Sequence, residues 1–125
     1  MEFTPDEQSV WLVRRQVAHA LSAWGYGEDD TATVVLVCSE LATNAVRYAH
    51  VPGRSFEVGV SATGKECLVE VSDVSDDLPR PTEPEPDDEH GRGLLLVTAL
   101  AESVGHRRRT PTGKTVWARL RLSRA

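Results

Sequence analysis

A chain of 125 residues with 40% hydrophobic and 26% charged residues can hold one core, so a single domain over 1–125 is expected. The net charge of −5 and the short, interrupted apolar runs exclude a membrane-spanning helix and argue against direct nucleic-acid binding. The two cysteines, Cys38 and Cys67, lie far apart in apolar stretches, which reads as buried thiols in a reducing cytoplasm rather than a disulfide or metal pair.

The opening Met1-Glu2-Phe3-Thr4-Pro5-Asp6-Glu7 is acidic and lacks both parts of a secretory leader, so none is expected. Thr4 to Glu7 reads as a capping box with Pro5 at the first helical position. Val10, Val13, Val17, Ala20, Leu21 and Trp24 then recur at helical spacing up to Gly25, predicting an amphipathic first helix that buries them. Trp11 and Leu12 either complete the core or suit an interface between two copies of the chain, and His19 reads as a surface histidine.

After a turn through Gly25 and Gly27, Asp29 or Asp30 is expected to cap a second helix reaching about Tyr48. From Ala32 to Ala49 this helix is almost wholly apolar, so a carboxylate and a carboxamide in its middle need a reason. Glu40 and Asn44 are four apart and share a face, and Arg47 follows three later on the same side. That face is expected to look into a pocket holding a cation and phosphates.

Phe56, Val58 and Val60 alternate as a strand, Ala62-Thr63-Gly64-Lys65 turns, and Cys67, Val69 and Val71 form a second strand ending at Asp73. From Asp76 to Glu89 the chain is acidic and proline-rich, which reads as a long loop, often a functional lid. His90-Gly91-Arg92-Gly93 is expected to open a third helix from Leu94 to about Glu102. Two strands follow, Ser103 to about Arg108 and Thr115 to Leu122. The order predicts an α+β fold with helices on one face of a largely antiparallel sheet.

Charge is unevenly spread. Ten acids stand between Glu66 and Glu89, whereas seven cations and no acid follow Gly105. Arg119 and Arg121 alternate with Ala118, Leu120 and Leu122, so the cations read as a strand's solvent face, or as a surface for an acidic protein partner.

The glycines flanking Arg92 leave bare N–H groups before a helix, a place suited to an anion. Asp73 reads as a turn residue or as the acceptor for an exocyclic amine. Gly113-Lys114-Thr115 is no P-loop, because Arg108 stands where the first glycine belongs and a strand follows instead of a helix. Without GxSxG, HExxH or Cys/His metal spacing, hydrolase, dehydrogenase and zinc chemistries lack a basis.

Taken together, these segments resemble a known superfamily. Glu40 to Tyr48 resembles the N-box of the GHKL ATPases, which include gyrase B, MutL and histidine kinases. Asp73-Val74-Ser75 resembles the first glycine box, Gly91-Arg92-Gly93-Leu94 the second, and Gly113-Lys114-Thr115-Val116 the closing Gly-x-Thr strand. The chain is most similar to the small anti-sigma factor serine/threonine kinases of bacteria, the RsbW and SpoIIAB type. The resemblance implies a two-layer α/β sandwich of the Bergerat type, with a mixed, mostly antiparallel sheet.

It also implies ATP and Mg²⁺ as cofactors, Glu40 as general base and Asn44 as the magnesium ligand. Arg47 and Tyr48 would meet phosphate and nucleoside, and Asp73 would accept from the adenine amine, with Ser75 in the same box and Thr115 beside it. Gly91, Arg92, Gly93 and Leu94 would hold the phosphates. The implied partners are an anti-sigma antagonist, a sigma factor and a second copy of the chain. A catalytically inactive, nucleotide-gated interaction module is the alternative. One departure stands out: Asp73-Val74-Ser75-Asp76-Asp77 has no glycine where the family usually has two.

Overall fold

The computed structural model describes residues 1–4, 7–48, 55–74, 89–109 and 113–123, with the backbone alone for residues 7, 47, 48 and 89–94. Within them the chain runs β1 (Glu2–Phe3), α1 (Glu7–Ala23), α2 (Glu28–Tyr48), β2 (Phe56–Thr63), β3 (Glu66–Asp73), α3 (Glu89–Leu100), β4 (Ser103–Arg108) and β5 (Lys114–Arg121). The strands form one sheet in the order β1-β2-β3-β5-β4, and each described ladder is antiparallel. The expected α+β sandwich is present.

Period-two burial explains the layering. Cys67, Val69, Val71 and Asp73 of β3 are buried while Leu68, Glu70 and Ser72 are less so. Their partners across the ladder, Leu120, Ala118, Val116 and Lys114, are buried with them. α2 packs against β3, and α1 packs against α2. Val34, Val37, Cys38 and Leu41 of α2 and Val13, Val17 and Leu21 of α1 complete this core. Each such aliphatic side chain contributes about 1.5–3 kcal/mol by leaving water.

The local signals differ from expectation in four places. β1 is one: Met1 and Val58 exchange backbone hydrogen bonds of 3.0 and 2.8 Å, and Phe3 stacks on Phe56 with centroids 5.6 Å apart. Trp24 is the second, exposed rather than buried. α1 ends in a Schellman motif: Gly25 (φ 90°) donates to the Ser22 carbonyl at 3.0 Å and Tyr26 to that of Leu21 at 3.0 Å. The reversal seats Tyr26 in the core, with its hydroxyl donating to the Gly64 carbonyl at 2.8 Å, and leaves Trp24 outside.

The third concerns the start of α2. Thr31 donates to the Gly27 carbonyl at 3.0 Å, so Gly27 is the cap, and Asp29 and Asp30 lie in the first turn, where they complement the helix dipole. Asp30 instead accepts the Ser123 N–H at 2.8 Å and ties down the chain after β5. Fourth, α3 starts at Glu89, not Leu94, so Gly91, Arg92 and Gly93 lie inside the helix. Glycine disfavours helix by about 1 kcal/mol, but packing of α3 on α2, which buries Val97 completely, overrides that preference. Of the capping box expected from Thr4 to Glu7, Pro5 and Asp6 lie outside the described residues. So does the lid expected from Asp76 onward, except for Glu89, its last residue, which opens α3.

Candidate functional site

On α2, Leu41, Ala42 and Ala45 are buried against the core. The helical period puts Glu40 and Asn44 together on the flank beside Val37 and Leu41, and both are half-buried. Among the described residues neither side chain makes a hydrogen bond or an ion pair. A carboxylate and a carboxamide so placed keep their acceptor capacity for something else. Thr43, in contrast, is satisfied locally, its hydroxyl donating to the Ser39 carbonyl at 2.7 Å.

The second part of the site lies where β3 ends and β5 begins. Asp73 and Lys114 face each other across the ladder on the helix-covered side of the sheet. Lys114 Nζ stands 3.2 Å from Asp73 Oδ1, and the two side chains are only 7% and 5% exposed. Gly113 makes this approach possible. Its φ is +100°, and a Cβ there would run into the Asp73 carbonyl oxygen.

Thr115, expected beside Asp73, turns to the opposite face of the sheet. There its hydroxyl and that of Ser72 share a hydrogen bond of 2.7 Å, because residues paired directly across a ladder share a face. The neighbour of Asp73 is Lys114. In the sequence that lysine stands out as the middle of a rejected P-loop likeness and as the unspecified residue of the Gly-x-Thr resemblance. The signal that could have found it is the register that pairs Ser72 with Thr115 and so Asp73 with Lys114.

Arg47 and Tyr48 form the last turn of α2, and Gly91, Arg92, Gly93 and Leu94 the first turns of α3. α3 packs against α2, so both segments belong to the helical layer. Ser75 lies outside the described residues. For the magnesium ion, Asn44 offers one hard oxygen, and the described residues hold no cluster of three or more His, Cys, Asp or Glu placed for a metal. That donor set fits a cation held by few protein ligands and completed by substrate phosphates.

Other features fall outside this site. Cys38 and Cys67 are buried, free thiols. Burial pushes the Cys67 thiol up to about 11, and burial, followed by the neighbouring Cys67, raises that of Cys38, so neither is a nucleophile near neutrality. A pocket of about 210 Å³ at the hairpin end of β3, lined by Ser61, Thr63, Glu66, Leu68, Glu102 and Arg119, contains no expected site residue. On the helix-free face Arg107 pairs with Glu70 at 2.7 Å. The described helices include none long and apolar enough to cross a membrane.

Comparison with known proteins agrees with this architecture. A family model described as the histidine kinase-like ATPase domain matches residues 3–120. No curated protein matches the chain. The crystal structure of the RsbU and RsbW domains of Rv1364c from Mycobacterium tuberculosis is similar in fold, at 21% identity and a TM-score of 0.69, over 100% of this chain and 33% of that one. The histidine kinase domain of the EL346 blue-light activated histidine kinase from Erythrobacter litoralis is 27% identical with a TM-score of 0.51, over 75% of this chain and 45% of that one. The chain thus spans a third of the first structure and under half of the second. With the family model matched over nearly its whole length, the protein belongs to the histidine kinase-like ATPase domain family.

Proposed function

We propose that the protein is an ATP-dependent serine/threonine protein kinase of the anti-sigma factor type. It acts in the cytoplasm on an anti-sigma antagonist and holds a sigma factor. The carrying observation is the half-buried pair Glu40 and Asn44, without partners among the described residues, beside the buried Val37, Leu41 and Ala45 of α2. Family membership and the RsbW domain in a neighbour of the same fold support the reading.

Each residue has a role in phosphoryl transfer. A partner's serine oxygen attacks the γ-phosphorus, the bond to the β–γ bridging oxygen breaks, and ADP leaves. Glu40 takes the serine proton, and Asn44 would hold Mg²⁺ through its side-chain carbonyl oxygen. Asp73 accepts from the adenine amine. Arg47, Tyr48, Ser75 and the Gly91-Arg92-Gly93-Leu94 segment complete the nucleotide contacts. The exposed Trp11 and Leu12 on α1 supply apolar surface for a second copy of the chain.

Calorimetric titration of ATP with and without magnesium, followed by a transfer assay on Glu40→Ala, tests this. The expected outcome is magnesium-dependent binding, with transfer abolished and partner binding spared in the variant. No heat of binding at millimolar nucleotide ends the nucleotide reading. A second reading, an interaction module without transfer, is favoured by the glycine-free Asp73-Val74-Ser75-Asp76-Asp77. Under it Glu40→Ala changes little.

A further inference from the structure

We propose that Lys114 is a positioning residue for the nucleotide base, holding the Asp73 carboxylate ionised and in one orientation at the end of β3. The inference deepens the nucleotide-binding reading above and rests on it. A buried carboxylate without a counter-ion tends to take up a proton, and its protonated oxygen becomes a donor, useless to an amine. The Lys114 ammonium, 3.2 Å from Oδ1 and buried with it, removes that tendency. An ionised carboxylate offers roughly four acceptor directions, so it can accept from an ammonium and an amine together.

The backbone is held too. Gly113 lets β5 start so close to the Asp73 carbonyl that no other residue fits without displacing it. On the reverse face the Ser72 and Thr115 hydroxyls lock the preceding pair of the ladder. The sequence from Val74 to Asp77 has no glycine and includes two further acids, Asp76 and Asp77. Lys114 is a cation paired with Asp73 at the end of β3. Preorganisation of this kind raises affinity because the ordering cost is met before the ligand arrives.

The experiment titrates Mg-ADP, and its purine analogue lacking the 6-amino group, into the wild type, Lys114→Met, Lys114→Arg and Asp73→Asn, alone and combined. Lys114→Met should weaken Mg-ADP by about tenfold or more, the size of a charge-assisted hydrogen bond. Lys114→Arg, which keeps the charge, should stay within about threefold. The Lys114→Met effect should disappear with the analogue, and also when Asp73→Asn is already present, since the lysine acts only through that carboxylate. A purely structural lysine would weaken both ligands alike.

Lys114→Met binding Mg-ADP as tightly as the wild type overturns the proposal, as does an equal loss for both ligands. Should Lys114→Met fail to fold, the comparison of Asp73→Asn with the double variant carries the test. Equal affinities support the proposal, and a further loss in the double variant overturns it. A wild type that binds no Mg-ADP at all defeats the nucleotide reading itself, which separates the two failures.

Discussion

Two polar pairs in this protein meet burial in opposite ways. Glu40 and Asn44 stay half-buried on the flank of α2 with no partner among the described residues. Asp73 and Lys114, at the junction of β3 and β5, are buried and joined at 3.2 Å. The first pair keeps its hydrogen-bonding capacity open, at the cost of imperfect solvation on an apolar helix. The second is held in a fixed geometry. Under the proposed function, the difference separates groups that would meet a changing substrate from a group that would already be in place.

The contrast can be tested through stability, where the largest effect belongs to the closed pair. Lys114→Met removes the counter-ion of a buried carboxylate and should lower the unfolding free energy by about 3–5 kcal/mol in urea denaturation. Pairing it with Asp73→Asn should recover most of that loss, because a neutral pair carries no buried charge. Unchanged stability in Lys114→Met would erase the distinction between the two regions. Next comes Gly113→Ala, which puts a side chain at φ +100° and drives its Cβ into the Asp73 carbonyl oxygen. Backbone strain alone makes its expected loss about 1–3 kcal/mol, read from the thermal midpoint.

The open pair should behave in the reverse manner. Glu40→Gln and Asn44→Ala break no described interaction, so each should shift stability by less than about 1 kcal/mol. Glu40→Gln should nevertheless slow phosphoryl transfer by about a hundredfold or more in a single-turnover assay. A large stability loss in either variant would show that the flank is structural.

The smallest effect concerns the core joining the two regions, which carries Cys38 on α2 and Cys67 on β3. Burial holds the Cys67 thiol at about 11 in the folded chain, against an ordinary 9.0 when unfolded. Its stabilisation is therefore complete below pH 9.0 and is lost as pH rises through about 11, because only the unfolded chain ionises easily in between. Urea midpoints measured from about pH 8 upward should fall along that course, less steeply in Cys67→Ala.

Much of the fold was legible because it is written in local periodicity. The 3.6-residue repeat from Val10 to Leu21 and the apolar run around Glu40 and Asn44 marked α1 and α2. Strict alternation marked β2, β3 and β5 nearly to the residue. β1 escaped because Glu2 and Phe3 are too few to show a period, and it exists only by pairing with β2. The start of α3 escaped because Gly91 and Gly93 carry a local preference that packing of Val97 overrides.

The sequence by itself determined the layers, the order of the elements and the spacing that sets Glu40 and Asn44 on one face. Those depend on interactions between residues a few positions apart. Only the tertiary structure decided that Asp73 meets Lys114 rather than Thr115, and that Asp30 holds the N–H of Ser123. Such pairs are 41 and 93 residues apart in the chain. Ladder register and packing bring them together, and shifting the register by one residue would turn every side chain to the other face.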